Sequence, residues 1–189
     1  MIDRRQVLAG LGACSLWPAR AIHAEAQTSM SRATAYAFSF KTLDGAELSL
    51  AAQTGRPVLV VNTASLCGYT PQYSGLEALW QRYRARGLLV IGVPSNDFGG
   101  QEPGGASEIH DTAHRHGVTF PLTEKVSVKG DTAHPFYRWA ALQRPGETPR
   151  WNFHKYLVGR DGALSASFAS ATEPTDPRMI VAIERQLPA

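Results

Sequence analysis

The chain has 189 residues, 43% of them hydrophobic, which bounds it at one domain or little more with room for a substantial core. A formal charge of +3, from 19 lysines and arginines against 16 acids, carries no nucleic-acid signature. No stretch is long and apolar enough to span a membrane.

Residues 1–26 read as an export signal. Arg4 and Arg5 stand in a charged start, an apolar stretch runs from Val7 to Trp17, and small-residue sites follow at Ala19-Arg20-Ala21 and Ala24-Glu25-Ala26. The order Arg4-Arg5-Gln6-Val7-Leu8 resembles a twin-arginine signal, which carries proteins that are already folded. The expected location is the periplasm. A second reading takes Leu11-Gly12-Ala13-Cys14 as a lipobox, with an acylated Cys14 anchoring the chain to a membrane. Against it, the apolar stretch would shrink to residues 6–13, and cleavage sites lie downstream. Residues 27–36 are polar and small, a short linker, and the domain is expected over 37–189.

Within that domain, residues 37–43 alternate, turn at Asp44-Gly45 and resume over 47–50, a β-hairpin signature. Gly55-Arg56-Pro57 breaks the chain before the apolar run 58–62, the first buried strand. Leu76, Leu79, Trp80 and Tyr83 recur at helical spacing, Gly87 ends that helix, and 88–93 is a second continuous apolar strand. Strand, helix, strand with both strands apolar reads as a right-handed parallel βαβ unit. A second helix is expected over 107–117 with Ser107 as its cap, and a third over 136–142. A second hairpin follows over 152–158 and 163–168, then a closing helix over 176–186 with Pro177 near its start. That succession predicts an α/β, thioredoxin-like fold: a central mixed β-sheet flanked by helices, with an N-terminal β-hairpin.

Cys67 stands where the first buried strand hands over to a helix. A thiol looking into the first turn of a helix meets unsatisfied N–H groups and the positive end of the dipole, which favour thiolate, the reactive form. Once the signal is removed, no second cysteine remains for an intramolecular disulfide, and an odd cysteine in an oxidising compartment points to a reactive thiol. The plainer reading is a small buried hydrophobe. His110 and His114 fall one helical turn apart, a familiar ligand spacing, with His116 nearby. No cysteine or carboxylate completes an established motif, so no metal is assigned.

Three separated segments, in order, resemble the glutathione peroxidase family in its cysteine-containing form. They are Val61-Asn62-Thr63-Ala64-Ser65-Leu66-Cys67-Gly68-Tyr69-Thr70, Pro94-Ser95-Asn96-Asp97-Phe98-Gly99-Gly100-Gln101-Glu102-Pro103-Gly104, and Trp151-Asn152-Phe153-His154-Lys155-Tyr156-Leu157. Val128-Lys129-Gly130 and Ala133-His134-Pro135 also fit, and the resemblance runs from about Ala37 to Leu187. It implies reduction of hydrogen peroxide or organic hydroperoxides, in response to oxidative stress, through a sulfenic acid on the attacking thiolate. The implied catalytic residues are Cys67, Gln101, Trp151 and Asn152. Two amides and an indole N–H suit that chemistry, because each can donate to sulfur and to the leaving oxygen without protonating the nucleophile. Taken alone, Gln101 reads as a turn residue and Trp151 as core. Asn96 reads as a loop support.

The chain departs from the family pattern where turnover is concerned. Many members carry a resolving cysteine on the helix after the Gln-Glu-Pro-Gly motif; His114 holds that place here, and Ser95 stands where another cysteine is often found. The sulfenic acid is then left to an external thiol, glutathione or a thioredoxin-like protein, with no cofactor. The stretch 141–150 is short where tetrameric members carry an insertion, so a monomer is expected. The missing resolving cysteine also suits a peroxide sensor or thiol-redox interaction protein without sustained turnover. Copper delivery or disulfide handling would need a paired cysteine, and Cys67 has none.

Overall fold

The computed structural model describes residues 28–188, so the stretch read as an export signal, 1–26, and Cys14 within it lie outside the described residues. The organising element is β3 (Val58–Thr63), six residues that are all buried. A Val-Leu-Val-Val run suits a strand covered on both faces. It pairs in parallel with β4 (Leu89–Pro94), from Val58↔Leu89 to Thr63↔Pro94. On its other side it pairs antiparallel with β5 (Lys155–Val158), which pairs in turn with β6 (Leu164–Phe168). The sheet order is therefore β4-β3-β5-β6, mixed as the sequence predicts. A separate hairpin joins β1 (Ser39–Lys41) to β2 (Glu47–Ser49). Its turn closes with the Gly45 N–H on the Thr42 carbonyl at 2.9 Å, and Gly45 takes φ +84°, a left-handed conformation that glycine adopts without strain.

Among the described residues four helices flank the sheet: α1 (Gln72–Tyr83), α2 (Ala106–Arg115), α3 (Pro135–Gln143) and α4 (Pro177–Gln186). Tyr73, Leu76 and Leu79 of α1, Ile109 of α2, and Met179 and Ile183 of α4 form one buried cluster with Leu59, Val61 and Leu157 of the sheet. On the other face, Phe136 and Tyr137 of α3 pack on Tyr156 of β5 at 6.3 and 6.1 Å between ring centres. α1 gives way to a short 3-10 turn and stops at Gly87, φ +102°. Asp176 caps α4, accepting the Arg178 N–H at 2.8 Å, with Pro177 in the first turn.

Four expectations are corrected in detail. Ser107 is not the cap of α2: Gly105 takes the cap position, and the Glu108 carboxylate accepts the Gly105 N–H at 3.0 Å, the return half of a capping box. β5 begins at Lys155 rather than 152, because Phe153 turns left-handed at φ +63° and breaks the pleat. The stretch read as linker ends earlier than Tyr36. The compact unit starts at Ala33, and Ala35 is fully buried with its N–H on the Gly162 carbonyl at 2.8 Å. Finally, α1 begins five residues beyond Cys67, so the thiol sits in a turn ahead of the helix rather than at its start.

Candidate active site

Three loops meet at one end of the sheet. Residues 64–71 leave the C-terminal end of β3 and 95–105 leave the parallel β4, while 151–154 enter β5, whose N-terminal end lies beside the end of β3 because the pair is antiparallel. Sites in open α/β sheets form at that end.

Cys67 is 7% exposed and is a free thiol. Its turn is closed by the Thr70 N–H on the Cys67 carbonyl at 3.0 Å. The Thr70 hydroxyl accepts the Cys67 N–H at 3.2 Å and donates to the Ala64 carbonyl at 2.8 Å. The same turn aims the Tyr69 N–H at the sulfur, 3.4 Å away. The backbone donor that a helix start was expected to offer comes instead from this tight turn ahead of α1.

Gln101 is tied to both neighbours. Its carbonyl accepts the Leu66 N–H at 3.0 Å, one residue before the thiol, and its side-chain Oε1 accepts from Asn152 Nδ2 at 2.9 Å. With Oε1 engaged, the Gln101 amide keeps its N–H groups to donate elsewhere. Gly99 and Gly100 both take positive φ, and a Cβ on Gly99 would stand 3.3 Å from Trp151 Cη2, so glycine lets the indole close over this loop. Trp151 rests on Phe98 at 6.0 Å between ring centres and remains 39% exposed, while Asn152 is wholly buried. The structure thus brings Cys67, Gln101, Trp151 and Asn152 to one end of the sheet, with Gln101 and Asn152 in direct contact.

Asn62 is the residue that sequence reasoning passed over, as one more member of a buried strand. Its side chain donates to the Trp151 carbonyl at 3.1 Å and accepts the His154 N–H at 3.0 Å, clasping the turn that presents Trp151 and Asn152. The clasp holds Phe153, fully buried, at a φ that bulky side chains avoid, at a cost of about 1–3 kcal/mol. A polar residue inside an otherwise apolar run was the available signal. Asn96 supports the loop as expected, its Oδ1 accepting the Glu102 N–H at 2.9 Å. Asp97 adds a second anchor, accepting the Val128 N–H at 2.6 Å.

Two basic groups lie buried just behind. Lys155 is wholly buried, with Nζ on Gln72 Oε1 at 2.5 Å and on the Ser170 and Thr172 carbonyls at 3.2 and 2.6 Å. Burial pulls its ammonium down to about 8, with the Glu173 charge opposing. Burial, helped by the Lys155 charge, holds the His154 imidazole down to about 4, and its Nε2 lies 2.9 Å from the Ser167 hydroxyl. Beside them a groove of about 600 Å³ runs from Tyr69 and Trp151 past Arg150 to Ser170. His114, in the resolving position, sits exposed on α2 with its ring 6.1 Å from that of His110, while His116 packs near Tyr73.

Residues 35–141 match the sequence model described as glutathione peroxidase. The chain belongs to the glutathione peroxidase family. The family consists of peroxidase oxidoreductases, and the third segment, at Trp151, lies beyond the matched span. The chain is 44% identical over 159 residues to the hydroperoxy fatty acid reductase gpx1 of Synechocystis, covering 79% of this chain and 94% of that one. It is 43% identical over 143 residues to the glutathione peroxidase-like peroxiredoxin gpx1 of Schizosaccharomyces pombe, covering 74% and 90%. The crystal structure of Trgpx in its apo form superposes with a TM-score of 0.65 at 37% identity, over 83% of this chain and 99% of that one.

Proposed function

We propose that this protein is a thiol-dependent peroxidase in which Cys67 reduces hydrogen peroxide or organic hydroperoxides. The Cys67 thiolate attacks one peroxide oxygen, a sulfur–oxygen bond forms as the O–O bond breaks, and the leaving oxygen takes a proton to depart as water or an alcohol. Cys67 is left as a sulfenic acid. Gln101, Trp151 and Asn152 are the donors that hold the peroxide and stabilise the charge on the leaving oxygen.

The observation that carries this reading is the Leu66–Gln101–Asn152 chain of hydrogen bonds, which links the thiol's loop to both amide donors. An external thiol then attacks the sulfenic sulfur, releasing water and forming a mixed disulfide that a second thiol resolves. Glutathione and a thioredoxin-like protein both fit, since Cys67 is the one cysteine among the described residues. The relatives named hydroperoxy fatty acid reductase favour including lipid hydroperoxides among the substrates. The role extends to defence against oxidative stress, by a monomer exported to the periplasm under its twin-arginine-like signal.

Stopped-flow tryptophan fluorescence of the reduced protein mixed with hydrogen peroxide tests the proposal. A second-order rate orders of magnitude above that of free cysteine is expected. A rate equal to free cysteine refutes it and leaves the partner-binding, sensor-type reading.

A further inference from the structure

Glu102 follows Gln101 directly, yet it is wholly buried. Its backbone is held on both sides. The N–H donates to Asn96 Oδ1 at 2.9 Å, and the carbonyl accepts from Lys125 Nζ at 3.0 Å, an ammonium that also binds the Pro103 and Gly104 carbonyls. The side chain is treated differently. Neither carboxyl oxygen has an aligned hydrogen-bond partner, and the same holds for the buried hydroxyls of Thr63, Ser65, Tyr73 and Tyr137, of which the first three concern this region.

The Ser65 hydroxyl and amide lie close enough to Glu102 to favour its charged form without being aligned as hydrogen bonds, and the Glu102 charge reaches Tyr73, whose phenol faces Thr63. Burial outweighs those influences and pushes the Glu102 carboxyl up, with Ser65 and then Lys125 opposing. The Lys125 ammonium is engaged by backbone carbonyls rather than by the carboxyl. A buried carboxylate without aligned donors is costly, whereas a carboxylic acid needs one acceptor, and the neighbouring Ser65 hydroxyl can supply it.

We propose that Glu102 is a positioning residue that works as a neutral acid, its carboxyl O–H joining the Ser65, Tyr73 and Thr63 hydroxyls in a buried cluster that braces the peroxidatic loop. Ser65 stands two residues before Cys67, and the next residue, Leu66, is bonded to Gln101, so the brace acts on the two residues that lead into the thiol. Ionising Glu102 would set a like charge behind the thiolate and oppose the charge that develops on the leaving oxygen. This inference rests on Cys67 being the peroxidatic thiol.

The test is Glu102→Gln, which keeps the shape and fixes the side chain neutral. Infrared difference spectra between wild type and variant should show a carboxylic-acid C=O stretch, lost in the variant, at the pH of fastest wild-type oxidation. The wild-type rate of Cys67 oxidation should then fall about tenfold across the pH range where that stretch disappears, a fall absent from the variant. A carboxylate signal at the optimum overturns the inference, and so do superimposable pH–rate profiles. If the variant does not fold, the infrared titration and the wild-type profile still decide, since both must change at one pH. Slow oxidation of wild type itself would instead refute the peroxidase reading, a separate failure.

Discussion

Acid should destabilise this protein through His154, and the size of the effect follows from its surroundings. The imidazole is 6% exposed, stands 4.7 Å from the Tyr156 ring and is held at about 4 against an ordinary value of 6.5. Because the folded value is the lower one, the folded protein binds fewer protons than the unfolded chain across that interval. The stability is fully present above 6.5 and is lost as pH falls from 6.5 towards 4. At about 1.4 kcal/mol per pH unit, the whole interval is worth about 3 kcal/mol. His154→Gln keeps a polar group near the Ser167 hydroxyl and removes the titration. Urea unfolding of both proteins, from neutral pH down to the lowest pH at which wild type still folds, gives their stability difference at each pH. That difference should shift in the variant's favour as pH falls below 6.5. A difference that stays constant with pH would show that His154 is protonated in the folded state at ordinary values and that its burial does not hold the imidazole neutral.

Other perturbations test the site and its supports. Cys67→Ser should abolish peroxide consumption while leaving circular dichroism and the thermal midpoint near wild type. Gln101→Ala and Trp151→Phe should each slow the oxidation step by about ten- to a thousandfold in stopped flow, the range for losing one preorganised donor; unchanged rates in both would remove them from the mechanism. Asn62→Ala strips partners from the Trp151 carbonyl and the His154 N–H. It should cost about 2–3 kcal/mol in urea unfolding and also slow oxidation, although Asn62 itself is not assigned a contact with peroxide. Lys155→Met takes the ammonium from the buried Gln72 side chain and from the half-buried Ser170 and Thr172 carbonyls and should cost about 3 kcal/mol, with amide exchange quickening first at 170–172.

What the sequence shows directly is whatever a local pattern can encode. The runs behind β3 and β4, Gly87 at the end of the first helix and the Asp44-Gly45 turn all reveal themselves within a few residues, and the structure has them in place. The Cys67 loop was legible as a strand-to-helix handover, but the Thr70 contacts that close it were not. The Ser107 cap failed because a glycine with a glutamate three residues on outcompetes a serine inside the helix. Asn62 and Lys155 were harder still: the partners of Asn62 lie 89 and 92 residues away, and those of Lys155 on two different segments. Glu102 gave no sign of its burial, since a glutamate beside a proline and two glycines reads as a solvated turn.

The clasp made by Asn62 also has a kinetic side. Two of the three proposed donors, Trp151 and Asn152, are presented by a turn that takes its shape only when β5 has docked on β3, a pairing between residues nearly a hundred positions apart. Such contacts form late, after much of the loop entropy has been surrendered. A chain that has collapsed but not yet paired those strands therefore lacks those two donors. On the proposed mechanism, fast reaction with peroxide is a property of the finished fold, and a dilute pulse of peroxide during refolding should label only molecules that have completed the journey.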